Sequence, residues 1–259
     1  MKLRFLGTGT SFGIPVIGCS CDACTSTDRR DQRTRHGALL QSDDGERTVL
    51  IDTPPELRLQ LLAAGVSKID AVWYTHGHAD HTHGIDDLRV FSRPDADPLP
   101  TYADAQCAEF LRRKFAYVFD EDYQPIGGPK VKLKLQTFRD GHPLYVAGFA
   151  MVPIALPHGD VQTYGFRCGD LAYITDAKLL PEAARSALRG VKVLVLNALW
   201  FGKSHPTHFT VEEAVRAADE LGAEQTYLTH LTHRVTHELL LRELPPHVRP
   251  AYDGLVVEV

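Results

Sequence analysis

Four metal-binding side chains fall within six residues in Thr75-His76-Gly77-His78-Ala79-Asp80-His81. In extended backbone, residues two apart point the same way, so His76 and His78 can face one cation together. A turn at Asp80-His81 then aims an oxygen and a nitrogen at a second cation beside the first. Imidazole with carboxylate suits zinc, manganese or iron and leaves positions open for water. A second group is softer. Cys19-Ser20-Cys21-Asp22-Ala23-Cys24 offers three thiolates, where the closed tetrahedral site of a structural zinc wants four donors. Five cysteines is an odd number, and in a reducing compartment a triplet at this spacing reads as metal before disulfide. Cys107 and Cys168 stand alone and read as core residues.

These side chains need rigid carriers, and the surrounding pattern supplies them. Asp70 to Thr75 reads as a buried strand running straight into the histidine segment. Residues 38–42 and 47–52 form a hairpin around Asp43-Asp44-Gly45, and Pro54-Pro55 opens a helix that ends near Gly65. A helical pattern spans Ala103 to Phe119. Val131 to Phe138, Phe149 to Leu156, Thr163 to Cys168 and Leu171 to Thr175 read as strands in antiparallel meanders. Helices are expected at 181–188, 211–221 and 237–244, and strands at 191–197 and 225–229. Hairpins mixed with single helices, in two halves, argue for an α/β domain with sheets sandwiched between helices.

Composition narrows the field. A chain of 259 residues that is 44% hydrophobic has ample material for a core. A net charge of −5 leaves no global basic field to draw nucleic acid or anionic lipid. No apolar stretch approaches the ~20 residues of a membrane span. The start lacks the apolar centre of a signal peptide, so a cytoplasmic address is expected. Gly7, Gly9 and Gly13 miss the G-x-G-x-x-G spacing of a dinucleotide loop, and neither G-x-S-x-G nor H-E-x-x-H occurs.

The H-x-H-x-D-H run resembles the signature of the metallo-β-lactamase fold, and the resemblance covers nearly the whole chain. It implies one domain over residues 1–259: an αββα sandwich of two mixed sheets flanked by helices, with a dinuclear site along one edge. Further ligands follow strands in the family's order: His158 after Leu156-Pro157, Asp176 after Ile174-Thr175 and His230 after Leu228-Thr229. By carry-over, His76, His78 and His158 hold the first metal, Asp80, His81 and His230 the second, and Asp176 bridges them. The pair would be manganese or zinc. Asp52, at the end of Leu50-Ile51, either orients a metal-binding histidine or caps the following helix.

For the three cysteines, His233 is the candidate fourth donor to a structural zinc. It lies three residues beyond His230, a spacing that makes neighbours on one helical turn. His237 is the competitor. With this triplet the chain resembles the phosphodiesterase branch of the fold that opens phosphoribosyl cyclic phosphates, the PhnP type. Leu6-Gly7-Thr8-Gly9-Thr10-Ser11 and Pro206-Thr207-His208-Phe209-Thr210 also look like this branch and the related tRNA 3′-processing ribonucleases. The resemblance implies that a hydroxide shared by the two metals attacks a small, cyclic phosphodiester. Asp80 and His208 would serve the chemical step, His208 as the acid that protonates the leaving oxygen, with His205 as the alternative. His36, His83, His142 and His247 are left as surface or supporting residues. A tRNA endonuclease would need a basic gripping arm that is missing from the sequence. A non-catalytic cofactor-biosynthesis protein, like the pyrroloquinoline-quinone relatives, would not need the full ligand set. The expected partner is a small phosphodiester rather than nucleic acid or membrane, and a homodimer is compatible with the sequence.

Overall fold

The computed structural model describes residues 1–91, 97–120, 122–123, 125–128 and 130–259. Its first half lays down β1 (Lys2–Gly7), the short α1 (Asp22–Thr25), β2 (Gly37–Gln41), β3 (Thr48–Ile51), α2 (Leu57–Ala64), β4 (Ala71–Trp73) and α3 (Ala79–Thr82). It continues with β5 (Leu99–Ala103), α4 (Ala105–Lys114), α5 (Ala116–Phe119) and β6 (Leu133–Thr137). The second half comprises β7 (Leu144–Val146), β8 (Phe149–His158), β9 (Val161–Cys168), β10 (Leu171–Ile174), α6 (Glu182–Leu188), β11 (Val193–Asn197), α7 (Val211–Leu221), β12 (Gln225–Thr229), α8 (His237–Glu243) and β13 (Val248–Pro250). A last strand, β14 (Val256–Glu258), returns to pair with β1.

Two seven-stranded sheets result, in the orders β14-β1-β2-β3-β4-β5-β6 and β13-β12-β11-β10-β9-β8-β7. Local chemistry explains the turns. Gly45 takes φ 75° between β2 and β3, and Gly65 and Gly222 take left-handed φ where α2 and α7 stop. The helix between β3 and β4 carries the chain across the sheet, so those strands are parallel. Between the sheets lie Leu3, Phe5, Trp73, Phe166 and Tyr173. Leu57, Leu61, Leu111 and Cys107 fill the layer under α2 and α4. Ala184, Leu188, Val211 and Leu240 fill the layer under α6, α7 and α8. The layering is helix, sheet, sheet, helix: the αββα sandwich. Trp73 anchors the middle layer, stacked on Phe138 at 4.1 Å and edge-on to Phe166 at 5.6 Å.

The structure corrects several expectations. The strand at 131–138 is not part of an antiparallel meander. As β6 it runs parallel to β5 at the edge of the first sheet, and the meander is β7 to β10 instead. The helix expected from Ala103 begins only after Asp104, whose carboxylate caps it by accepting from Gln106 and Cys107 N–H groups. It breaks at Phe115, where φ −115° and ψ 47° leave the helical region. Ala103 itself closes β5. At the chain ends, the Met1 amino group donates to Val259 O at 3.0 Å and Val259 N–H to Met1 O at 2.8 Å. Among the described residues no helix is long and apolar enough to cross a membrane.

Candidate metal centre

Most of the ligand-type side chains sit where strands end, while Asp80 and His81 lie on α3 just beyond His78. Asp52 follows β3, His76 and His78 follow β4, His158 closes β8, Asp176 follows β10 and His230 follows β12. Three of these, Asp52, Asp176 and His230, take left-handed φ of 61°, 54° and 57°. Such backbone costs about 1–3 kcal/mol per residue and persists only where the surroundings enforce it. Here it lets the chain turn out of the sheet while the side chain points back over the strand end. After Asp176, the Asn197 amide fixes the turn by accepting from Ala177 N–H at 2.8 Å and donating to Ala177 O at 3.1 Å.

Two groups of donors converge. His76, His78, His158 and Asp176 have ligand atoms within 4.8 Å of one another, and so do Asp80, His81, Asp176 and His230. Asp176 belongs to both. Its Oδ2 lies 3.6 Å from His76 Nε2 and 3.2 Å from His81 Nε2, and its Oδ1 lies 3.2 Å from His230 Nε2. His76 Nε2 and His78 Nδ1 face each other at 2.9 Å. His158 donates from Nδ1 to Thr207 O at 3.0 Å, which leaves Nε2 pointing inward. His81 donates from Nδ1 to Asp52 Oδ2 at 2.7 Å and is freed in the same way. Asp52 also accepts from Thr75 N–H and Thr75 Oγ1, both at 2.8 Å. The helix-cap alternative for Asp52 is thereby set aside: its oxygens are spent on Thr75 and His81, and the residue entering α2 is Glu56.

The electrostatics ask for cations. Burial opposes ionisation of Asp176, yet the His230 and His81 rings outweigh it and hold the carboxyl well below the usual range. Asp80 is lowered too; burial resists, and His81 and His230 prevail. His81 is driven well above the ordinary imidazole value, because Asp176, Asp80 and Asp52 together overcome its burial. Meanwhile His81 Nε2, both nitrogens of His230 and His208 Nε2 are buried without a hydrogen bond among the described residues. Buried polar atoms left this way are costly unless a ligand completes them. Hard oxygens and borderline imidazoles around two foci fit a pair of divalent cations.

His208 joins the pocket and His205 stays a step outside. His208 Nε2 lies 3.7 Å from Asp176 Oδ2, with the ring stacked on His230 at 5.0 Å and edge-on to His158 at 4.6 Å. Burial pushes its imidazole down from the ordinary value, against the pull of Asp176. His205 packs against Trp200 and accepts from Thr207 N–H at 3.3 Å. Behind them Thr210 and Glu213 form a capping box on α7, and Glu213 also holds Lys178 and Ser204. Residue spacing does not point to two supporting groups, the Thr207 carbonyl and Asn197, and for His36 it leaves surface and supporting roles open. The first two act through backbone groups. Of the two roles open to His36, the structure selects the supporting one: it is fully buried against His81 and His230. His83 and His142 are exposed, and His247 lies half-buried beside Asp219.

The cysteines gather elsewhere. Cys19, Cys21, Cys24 and His233 bring their donor atoms within 4.8 Å of one another, with His233 Nδ1 3.2 Å from Cys19 Sγ and 3.4 Å from Cys21 Sγ. The Cys24 backbone, aided by Cys19 and His233, lowers the Cys21 thiol to about 6, so a thiolate is favoured. The helical-turn argument for His233 does not hold. His230 is left-handed, Leu231 bridges to Gly9, and His233 lies in a turn. His237 is not in the cluster; its backbone N–H donates to Asp31 and its ring faces Arg33. Beside His78 opens a cleft of about 430 Å³ between α4 and the β8–β9 turn, walled by Gln106, Phe110, Arg113, Val161 and Gln162. Gly77 permits this packing, since a Cβ there would come within 2.8 Å of the Phe110 ring.

Comparison with known proteins agrees with this fold. The model of the Beta-lactamase superfamily domain matches residues 47–231. A crystal structure described as a new diphosphatase from the PhnP family superposes with TM-score 0.90 at 38% identity, covering 100% of this chain and 97% of that one. An octanoyltransferase of Porphyromonas gingivalis is 38% identical over 256 residues, 98% of this chain and 51% of that protein. The chain therefore spans about half the length of that relative. Zinc-bound PqqB from Methylobacterium extorquens shares the fold at TM-score 0.78 and 20% identity, over 100% of both chains. With an αββα sandwich and the family model over most of its length, the chain belongs to the beta-lactamase superfamily and carries the metallo-β-lactamase fold.

Proposed function

We propose that this protein is a metal-dependent phosphodiesterase that cleaves a small phosphodiester, cyclic phosphates foremost, in the cytoplasm. One observation carries the reading: Asp176 is shared by two ligand groups while His208 reaches the same carboxylate from the side. His76, His78, His158 and Asp176 would hold one cation, and Asp80, His81, Asp176 and His230 the other. When bound, a divalent pair supplies Lewis acidity and a water of lowered pKa. The chain's own residues do the rest. Asp52 and the Thr207 carbonyl fix which nitrogen of His81 and of His158 faces inward. Nε2 of His208 holds the proton destined for the leaving oxygen. Phe110 and Arg113 form the wall of the cleft against which the remainder of the substrate lies, with an apolar face and a positive charge. Cys19, Cys21, Cys24 and His233 would hold a separate zinc that ties the N-terminal loop to the segment just beyond His230.

Likeness to a PhnP-family diphosphatase supports phosphorus as the centre attacked and adds diphosphates to the candidates. The test is elemental analysis of the purified protein beside a panel of cyclic diesters, linear diesters, diphosphates, nitrocefin and a lactone. Two pocket metals, one further zinc, and turnover confined to the phosphorus compounds are expected. Turnover of the carbonyl substrates alone, or none by fully metallated protein, would sink the proposal.

A further inference from the structure

His230 differs from the other ligand histidines in a way that matters. Asp52 orients His81 and the Thr207 carbonyl orients His158, whereas Nδ1 of His230 has no hydrogen-bond partner among the described residues. A ligating imidazole ordinarily has its second nitrogen held by a partner, which sets the ring's orientation. For His230 the rings packed against it must do this. His208 and His81 stack on it, with centroids 5.0 and 5.9 Å away, and His36 lies tilted against it at 6.0 Å.

His36 is itself held firmly. It enters β2 of the first sheet, is completely buried, and spends both ring nitrogens on the second sheet. Nε2 is hydrogen-bonded to the hydroxyl of Tyr173 on β10 at 2.6 Å, and Nδ1 to Oγ1 of Thr229 at 3.3 Å. Thr229 is the last residue of β12, directly before His230. The His36 ring also lies 5.4 Å from His81, and His81 and His230 are 5.9 Å apart, so the three imidazoles form a nearly equilateral triangle. His81 comes from the first half of the chain and His230 from the second, yet both belong to one donor group.

We propose that His36 is a positioning residue that sets the spacing and tilt of His81 and His230, so that one cation can take both. With no free nitrogen it neither ligates nor carries protons. It acts as a spacer pinned at both ends across the two sheets. An apolar side chain would fill the space without being held in orientation by Tyr173 and Thr229.

This inference rests on the metal-centre reading, and its test keeps the two apart. Metal affinity is measured by chelator competition on the parent, His36→Ala, His36→Gln, Tyr173→Phe and the His36→Ala/Tyr173→Phe double variant. Steady-state kinetics and the melting midpoint of the metal-free proteins accompany it. His36→Ala should weaken one pocket metal by about 10–100-fold and lower kcat with KM unchanged. Tyr173→Phe should shift affinity the same way but less, and the double variant should be no worse than His36→Ala. His36→Gln, whose amide can still hydrogen-bond Tyr173, should recover part of the loss. If His36→Ala does not fold, Tyr173→Phe carries the test alone. Parent-like affinity in variants that only melt earlier would overturn the positioning role. A parent that binds no metal in this pocket would overturn the function reading, and this role with it.

Discussion

Each residue around Asp176 has one task, so single substitutions should separate the tasks. His208→Ala should lower kcat about 10²–10⁴-fold on diesters with poor leaving groups and much less on activated ones, because only the former need the proton. Rates with paired alkyl and nitrophenyl esters check this, and equal losses on both would remove the acid role. Asp80→Ala should cost far more on every substrate, since it strips a donor from one whole group. Asp52→Asn leaves the shape intact but takes away the charge that holds His81. It should weaken metal binding by about 10–100-fold, read by chelator competition. Arg113→Ala should raise KM roughly tenfold for substrates with a second anionic group, with kcat unchanged.

Among the elements, α7 shows how local signals position chemistry. Thr210 caps it reciprocally with Glu213, Gly222 ends it, and both marks are plain in the sequence. Thr210→Ala should cost about 1 kcal/mol of stability and loosen the segment that carries His208, seen as a lower melting midpoint together with a lower kcat. The 3.6-residue rhythm and the caps make α7 legible, as the β-branched and aromatic residues of Thr226-Tyr227-Leu228-Thr229 make β12 legible. Strand neighbours were not legible. β6 has strand character in sequence, but its parallel partner β5 contains Pro100 and is far away along the chain, so only the assembled sheet decides the pairing. The histidine run announced itself by spacing, and the later ligands only through family order. His36 could not be found that way: a single imidazole before a strand carries no spacing, and its importance arises from Tyr173 and Thr229, which folding brings to it.

The molecule as a whole is two sheets sharing one buried layer, so a defect in that layer reaches both halves. Trp73→Ala should cost about 3–5 kcal/mol, measured by denaturant unfolding. Acid should weaken the fold through His237, whose ring burial pushes down to about 4, with Arg33 and Arg30 adding to the effect. Unfolded, the same imidazole titrates near 6.5. Between those values the unfolded chain binds a proton that the folded one refuses, so stability falls as pH drops from about 6.5 towards 4. His237→Gln should flatten that slope in urea melts at pH 7 and 5; an unchanged slope would contradict the assignment. The pairing of β1 with β14 has a practical corollary. Met1 and Val259 are tied together at the start of β1, whereas Gly9, just past its other end, bridges to Leu231 beside the metal pocket. The ends therefore lie about 20 Å along the strand from the pocket's rim. A bead, a dye or a fused reporter attached at either terminus would sit at the rear, and the mouth would still open freely to the bulk.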